Sequence, residues 1–548
     1  MHTLFGNTPR YCNRVPRVLL LSAVLLFIVT SVRGQDDGAP DPESDVVSIA
    51  HQKQAIASAP LPLSAMPEGT GKEIFKRACA PCHVGGSGME IEATYLDRKE
   101  WTAIINQMVE FGAPLKKEEI PVMVDYLRGN FTIGFRADGL NRGRVLYPVP
   151  LPEGEAKQLI QRNCTVCHGL GNILSRNFDR KDWDEVVHGM VAWAHGQWDA
   201  PTTAEMHEKM PVLIDYLATN FKGEGRPAGV VVPGSVEATF KEWDFPIGGS
   251  RPHDTIYSPR TGFTWTTQVF AQALARFDPE TEKFKEYPVD PDVDPYTLAE
   301  DKEGKIFFTE HEGGVISKLD PATGNVKEYP LPDRGLVVHD IAIDPKGIVW
   351  FAVSEPRLPL HPDGSKIGRL DPSTGEIRLS DTPTRFSSPY GLVINSKGIP
   401  WFTERGMNKL GSVNPDTMEI KEYVLPNPKI GTRRLTTTPD DVVWYSDYMR
   451  GYLGSFDPKT GKFKEWPSPS GPRSLPYGIT HVGNIIWYSE SESAPNMLVR
   501  FDPQTEKFQS WPIKTGYGIK HIFAQPDGNL WVTRLRGNGL TYVEIKKQ

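Results

Sequence analysis

Cysteine is nearly absent from this chain, with five in 548 residues. Cys12 lies before the first apolar run, which leaves Cys79, Cys82, Cys164 and Cys167 and excludes a fold stapled by many disulfides. A basic excess is also lacking. The formal charge is −7, so there is no electrostatic footprint for nucleic acid, and none is expected as a partner. The apolar run VLLLSAVLLFIVTSV at 18–32 is shorter than the ~20 residues that span a bilayer. It follows Arg10, Arg14 and Arg17 and gives way at once to RGQDDGAPDPES, the layout of a secretory signal. Residues 1–34 are therefore expected to be a cleaved signal peptide, leaving no integral membrane domain and a periplasmic or otherwise exported protein. Residues 35–66, rich in Asp, Pro, Ala and Ser without apolar periodicity, read as a flexible linker.

What is present is a doubled motif. CAPCH begins at Cys79 and CTVCH at Cys164, and C-x-x-C-H is the attachment signature of c-type haem. Two thiols form thioether bonds to the porphyrin and the adjacent imidazole binds iron, so all three must reach one macrocycle from a single turn of chain. Two covalently bound haem c groups are expected, on Cys79, Cys82 and His83 and on Cys164, Cys167 and His168. The surrounding sequence is duplicated as well. RKEWTAIINQM (98–108) parallels RKDWDEVVHGM (180–190), and PVMVDYLRGNF (121–131) parallels PVLIDYLATNF (211–221). Among the methionines only Met108 and Met190 occupy matching places, seven residues after Trp101 and Trp183, which makes them the candidate axial ligands and puts the tryptophans beside the haem.

A helix running into C-x-x-C-H and a closing helix in each repeat resemble the class I cytochrome c family, over roughly 67–222. The resemblance implies two small all-α domains, 67–148 and 149–222, that carry single electrons, with His/Met ligation favouring ferrous iron. The gap from motif to methionine is short for that family.

After a Gly/Pro linker at 223–235 the texture changes to short β-branched and aromatic runs. A phrase recurs, as in RFDPETEKFKEYP (from Arg276), KLDPATGNVKEYP (from Lys318) and SFDPKTGKFKEWP (from Ser455), with Asp/Asn-Pro pairs 42 to 51 residues apart. Strand, D-P-x-T-G turn and returning strand make a hairpin, and a second pair such as PYGLVINSKGIPWFTE (389–404) completes four strands, a propeller blade. Seven aromatic strands but six such hairpins imply that ATFKEWDFP (238–246) supplies the missing edge strand and closes a seven-bladed ring over 236–548. The fold class expected is multidomain: two all-α cytochrome c domains followed by an all-β seven-bladed propeller.

The P-[HY]-G-I, W-F-T-E and I-G-x-[IL]-D-P phrases resemble the virginiamycin B lyase (streptogramin lyase) family of seven-bladed propellers. That resemblance implies an activity in which histidine and glutamate around a divalent metal open a lactone by elimination. The histidine of the late P-H-x-I phrases is replaced here by Tyr390 and Tyr477, which argues against that lyase activity. The repeat aligns His253, Tyr296, His339, Tyr390, Arg433, Tyr477 and Lys520 in one column, and Gln268, Glu310, Val353, Glu404, Asp447, Glu490 and Arg534 in another. Both are expected to line the central channel or its mouth, as a polar, water-filled channel or as a site for a substrate or a divalent metal. The candidate catalytic residues are His339, Glu404, Glu310, Glu490 and His253, since imidazole can accept a proton near neutral pH and carboxylates can hold a metal or a second proton. The leading expectation is an oxidoreductase whose propeller binds a small-molecule substrate and whose haems pass its electrons to a redox partner protein, a soluble cytochrome or similar acceptor. The alternatives are an electron carrier whose propeller only docks a partner, and a lyase with appended cytochromes.

Overall fold

The computed structural model describes residues 68–79, 113–130, 152–160, 178–194 and 200–223 of the N-terminal half, with single positions between 102 and 109. It describes 225–546 of the rest, apart from 249, 270, 290–293, 312, 334–335, 355–364, 385–386, 406, 428–430, 514–517 and 536. The signal and linker segments, Trp101, Cys82, His83, Met108, Cys164, Cys167 and His168 lie outside the described residues. Among the described residues no helix is long and apolar enough to cross a membrane.

Helix α1 (Thr70–Ala78) buries Ile74, Phe75 and Ala78 against α2 (Glu119–Asn130), which offers Met123, Val124, Tyr126 and Leu127. The two backbones approach closely because Gly71 has no side chain: a Cβ there would fall 2.1 Å from Cγ of Tyr126. The Arg77–Glu119 pair at 2.6 Å ties the helices from outside.

The same plan returns downstream. Helix α3 (Glu155–Leu159) packs on α5 (Ala200–Asn220), and the Tyr216 hydroxyl donates to the Pro152 carbonyl at 2.7 Å. Between them, α4 (Arg180–Ala194) begins with a reciprocal cap, in which the Asp182 N–H donates to the Asp179 carboxylate at 2.9 Å. Trp183 of α4 is fully buried and its indole N–H donates to the Phe221 carbonyl at 3.2 Å. Met206 lies in this same core and Met123 in the α1–α2 crossing, so both are packing residues.

The remainder is seven four-stranded antiparallel sheets. Six follow chain order within themselves. The seventh is composite: Ala238–Asp244 pairs antiparallel with Gly539–Ile545, Ala238 opposite Ile545, so the first strand of the propeller is the outer strand of its last blade. Each blade's aromatic column docks on the next blade. Trp350 packs with Leu392 and Phe402, Trp401 with Leu435 and Tyr445, Trp444 with Ile479 and Tyr488, and Trp531 reaches around the ring to Ala275 and Phe277. Glycine on the third strand makes room for the ring beneath it, since a Cβ on Gly411 would lie 2.1 Å from Phe402 Cζ. In the outer hairpins the Asp or Asn before proline caps its own turn, as Asp320 accepts from the Ala322 N–H at 2.9 Å.

The segment 226–236 is ordered along the outer strand of the sixth blade. Val232 N–H donates to Ser510 Oγ at 2.8 Å, Ser510 Oγ donates to the Val230 carbonyl at 2.6 Å, and Ala228 bridges Ala494. Its first arginine, Arg226, is buried and turns back to α4, meeting Asp182 at 2.6 Å and Glu185 at 2.6 Å.

Candidate functional site

In every blade the innermost strand slips register near its start, for example between Pro252 and Thr255, Val338 and Ile341, and Thr432 and Leu435. This bulge turns two consecutive residues away from the neighbouring strand. A hydroxyl on the second strand holds most of these bulges. Thr267 Oγ1 accepts from the Asp254 N–H at 3.0 Å and donates to the Tyr296 carbonyl of the next blade at 2.9 Å. Thr403, Ser446 and Thr533 make the same two bonds around the ring. These hydroxyls, the T or S of the W-F-T-E phrase, escaped sequence reasoning, although their fixed place in the repeat was the available signal.

The first residues of the bulges form the outer layer of the site, and contacts between distant blades show that they meet at the axis. The Tyr390 and Tyr477 hydroxyls hydrogen-bond to each other from the fourth and sixth blades. His339 packs on Tyr390 with ring centres 3.6 Å apart, and His253 stacks on Tyr296 at 3.8 Å. His311, also missed from sequence, stacks on the other side of Tyr296 at 4.2 Å. Cations surround these rings. The Arg433 guanidinium lies 4.3 Å from the Tyr448 ring and Lys520 Nζ 4.1 Å from that of Tyr477, while Arg405 is 5.5 Å from Tyr390. Arg251 precedes the first inner strand with φ 53°, and Ser388 and Leu475 occupy the same place with φ 50° each. Left-handed backbone at non-glycine residues costs on the order of 1–3 kcal/mol and is characteristic of functional mouths.

The second residues of the bulges form a deeper layer that neutralises itself. Arg434 donates to Asp254 at 3.1 Å and to Asp340 at 3.5 Å, and His521 Nδ1 is 2.9 Å from Asp254. Burial opposes charge on Arg434, but Asp254 and Asp340 outweigh it and raise its pKa. Asp254 is held below the ordinary carboxylate range because His521 and Arg434 overcome its burial, whereas burial raises Asp340. This ion-paired plug beneath the outer layer was also unforeseen.

The outer imidazoles are electrostatically alike. Burial, then Arg434, depresses the His253 pKa well below its ordinary value; burial, then His311, does the same for His339. Both rings are neutral at pH 7. His253 Nε2 and His339 Nδ1 have no hydrogen-bond partner, with the residues 1% and 5% exposed. A divalent cation does not suit this layer. Its two imidazoles sit among four cationic side chains, and among the described residues no group of three His, Cys, Asp or Glu side chains converges as a metal site.

The second column does not face the channel, which corrects the expectation that both do. Its residues sit on the second strand, one remove from the axis, and reach outward across the blade. Gln268 hydrogen-bonds Glu286 on the outer strand, Glu404 faces Glu422 there, and Arg450 links Asp447 to Glu465. Glu310 accepts from Ser317 on the third strand, Glu490 from the Ser470 N–H at 2.8 Å, and Arg534 donates to the Trp243 carbonyl. Of the candidate catalytic residues, the structure gathers His253 and His339 and sets Glu310, Glu404 and Glu490 within the blades.

At the N-terminal end, Cys79 is the C-cap of α1, buried where that helix meets α2, a place from which a thiol can hold a haem edge against the helix crossing. Met190 lies on α4.

The virginiamycin B lyase family profile matches residues 231–494 and 388–548, together more than half of the chain. The profile of cytochrome C oxidase, cbb3-type, subunit III matches 67–127, which takes in the first C-x-x-C-H and not the second. Among solved structures, a streptogramin B lyase is 26% identical with a TM-score of 0.50, over 56% of this chain and 98% of that one. Virginiamycin B lyase from Staphylococcus aureus is 25% identical with a TM-score of 0.50, over 56% and 99%. No curated protein matches the chain.

Proposed function

The chain belongs to the virginiamycin B lyase family and carries a cytochrome c domain at 67–127, and from these two facts we propose that it is an exported haem c oxidoreductase whose propeller mouth binds a small substrate. The observation that carries this reading is the outer layer itself, where two neutral imidazoles, each with one unpartnered nitrogen, lie among stacked tyrosines and cations at the axis of a ring fused to an electron-carrying domain. Haem c would supply one-electron transfer, and Cys79, Cys82, His83 and Met108 are the residues that would hold it. A second haem on Cys164, Cys167 and His168, with Met190, belongs to the same proposal. It is supported by the repeated pairing of helices, α1 with α2 and α3 with α5. His339 and His253 would take protons from the substrate, since a neutral imidazole is a base whose second nitrogen is open. A soluble cytochrome or similar protein would receive the electrons outside the cytoplasm.

Two measurements test the proposal. Pyridine haemochrome analysis of the purified chain should give two haems, and one haem per chain would overturn the second site. In stopped-flow reduction of the ferric protein by a panel of small reductants, His339→Ala should slow the responsive reaction by ~10²-fold with the Soret spectrum unchanged. Glu404→Gln, set within a blade, should keep the parental rate. If His339→Ala reduces as fast as the parent, the mouth is not the active site and the propeller serves to dock a partner.

A further inference from the structure

Arg433 is 7% exposed, and its only hydrogen bond is to the neighbouring Thr432 carbonyl at a long 3.4 Å. Buried guanidinium groups normally meet a carboxylate, because an uncompensated charge in a low-dielectric interior is costly. Arg434, the very next residue, shows the usual solution with its two aspartates. The charged side chain that acts most strongly on Arg433, after burial, is instead another cation, Arg405, whose own side chain lies 5.5 Å from the Tyr390 ring centre. Lys520 and Arg251 add to the positive field felt by His253. Phenolates do not supply the missing charge, since burial, ahead of every other influence, holds the Tyr296 and Tyr477 hydroxyls above their ordinary range. Asp254 and Asp340 beneath are engaged by Arg434, and Asp294 lies to the side, 3.8 Å from His311.

We infer that the outer layer of the propeller axis is an oxyanion site, in which Arg433, assisted by Arg405, Lys520 and Arg251, binds a small carboxylate or inorganic oxyanion. His339 Nδ1, buried and without a partner, can present an N–H to the same anion, whereas neutral His253 spends its N–H on the Tyr296 carbonyl at 3.1 Å. The tyrosine and histidine rings wall the site with π faces, on which the planar guanidinium also rests. This reading explains why the layer is unsuited to a metal and why the chain keeps two successive arginines: Arg434 locks the plug below while Arg433 is left to the ligand.

The inference rests on the mouth being the ligand site, and its test reads binding, not turnover. Full-length haem-loaded protein at low ionic strength is titrated calorimetrically with sodium acetate, benzoate, sulfate and phosphate, and separately with magnesium chloride. At least one oxyanion should bind one-to-one, and its affinity should fall tenfold or more in both Arg433→Gln and Lys520→Gln, as expected for lost charge-assisted bonds. The exposed Lys327→Gln should bind as the parent does. Lys520 is only half-buried, so its variant keeps the test valid should Arg433→Gln fold poorly. Binding by the carboxylates alone identifies an organic acid, and binding by sulfate or phosphate alone an inorganic oxyanion. The inference is overturned if no anion binds, if the Lys520→Gln affinity equals the parent's, or if magnesium binds in competition with the anions. Oxyanion binding without any haem reduction would leave this site standing and overturn the oxidoreductase reading alone.

Discussion

Glu404 carries its carboxyl into the interior of the fourth blade, facing Glu422, whose own charge is held by Lys409 at 2.6 Å and by the Thr384 N–H at 2.7 Å. Burial first, and Glu422 second, push the Glu404 pKa up from 4.5 to about 8. A carboxyl whose folded value exceeds its unfolded one binds its proton more tightly when folded. Its contribution is therefore full below about pH 4.5 and is lost as pH rises towards about 8. At roughly 1.4 kcal/mol per pH unit, a shift of this size corresponds to about 5 kcal/mol as an upper bound. Glu404→Gln should match the parent's melting temperature near pH 5 and exceed it near pH 8; parallel curves across that range would sink the assignment. The Glu404–Glu422 pairing was open to reading from sequence. A glutamate lies eighteen residues after Gln268, Glu310, Glu404 and Asp447, at Glu286, Glu328, Glu422 and Glu465, an offset that marks outward pairing across a blade. The first column was legible because the repeat aligns it, but its split into a ligand layer and a plug depends on a bulge, which leaves no residue signature beyond two adjacent polar positions such as His253-Asp254 and Arg433-Arg434.

Helices and strands were easier to foresee than the way they touch. The motif-bearing helix and the closing helix of the cytochrome domain announce themselves by apolar spacing, yet nothing in GTGKEIFKRA marks Gly71 as the crossing point; that follows from Tyr126 on another helix, with its ring where a Cβ would stand. Gly71→Leu should therefore force the helices apart, costing about 1–3 kcal/mol or more. Thermal unfolding followed by Soret circular dichroism checks this, with partial recovery expected in the Gly71→Leu/Tyr126→Ala double variant. An unshifted transition would show that the crossing does not hold the domain. In the propeller the strands follow directly from alternating patterns and D-P-x-T-G turns, and the aromatic column finds its reason in docking each blade on the next.

Taken whole, the molecule is less loosely strung than its Gly/Pro-rich junction suggests. Residues 226–236 lie along the sixth blade, and Arg226 spans from that seam to Asp182 and Glu185 of α4. Burial would disfavour the charged guanidinium, but Asp182 outweighs it and raises the pKa. Arg226→Leu strands the buried Asp182 carboxylate, a loss of about 3–5 kcal/mol for such pairs. The expected outcome is faster limited proteolysis at 222–230 and earlier melting of the helical region, with the propeller transition unmoved. Equal cleavage rates for parent and variant would show that Arg226 is not the fastener.

The ring's seam also fixes an order of events. The strand at 238–244 is made first and its partner at 539–545 last, so during synthesis the opening strand must wait, unpaired, for almost the entire propeller to follow it. With seven blades that each lean on the next, every arc short of closure leaves one aromatic face and one strand edge bare. The described helices upstream pair with one another over short sequence separations and can do so during that wait, so the natural sequence of assembly is helical region first and propeller second, its ring closing as a late step.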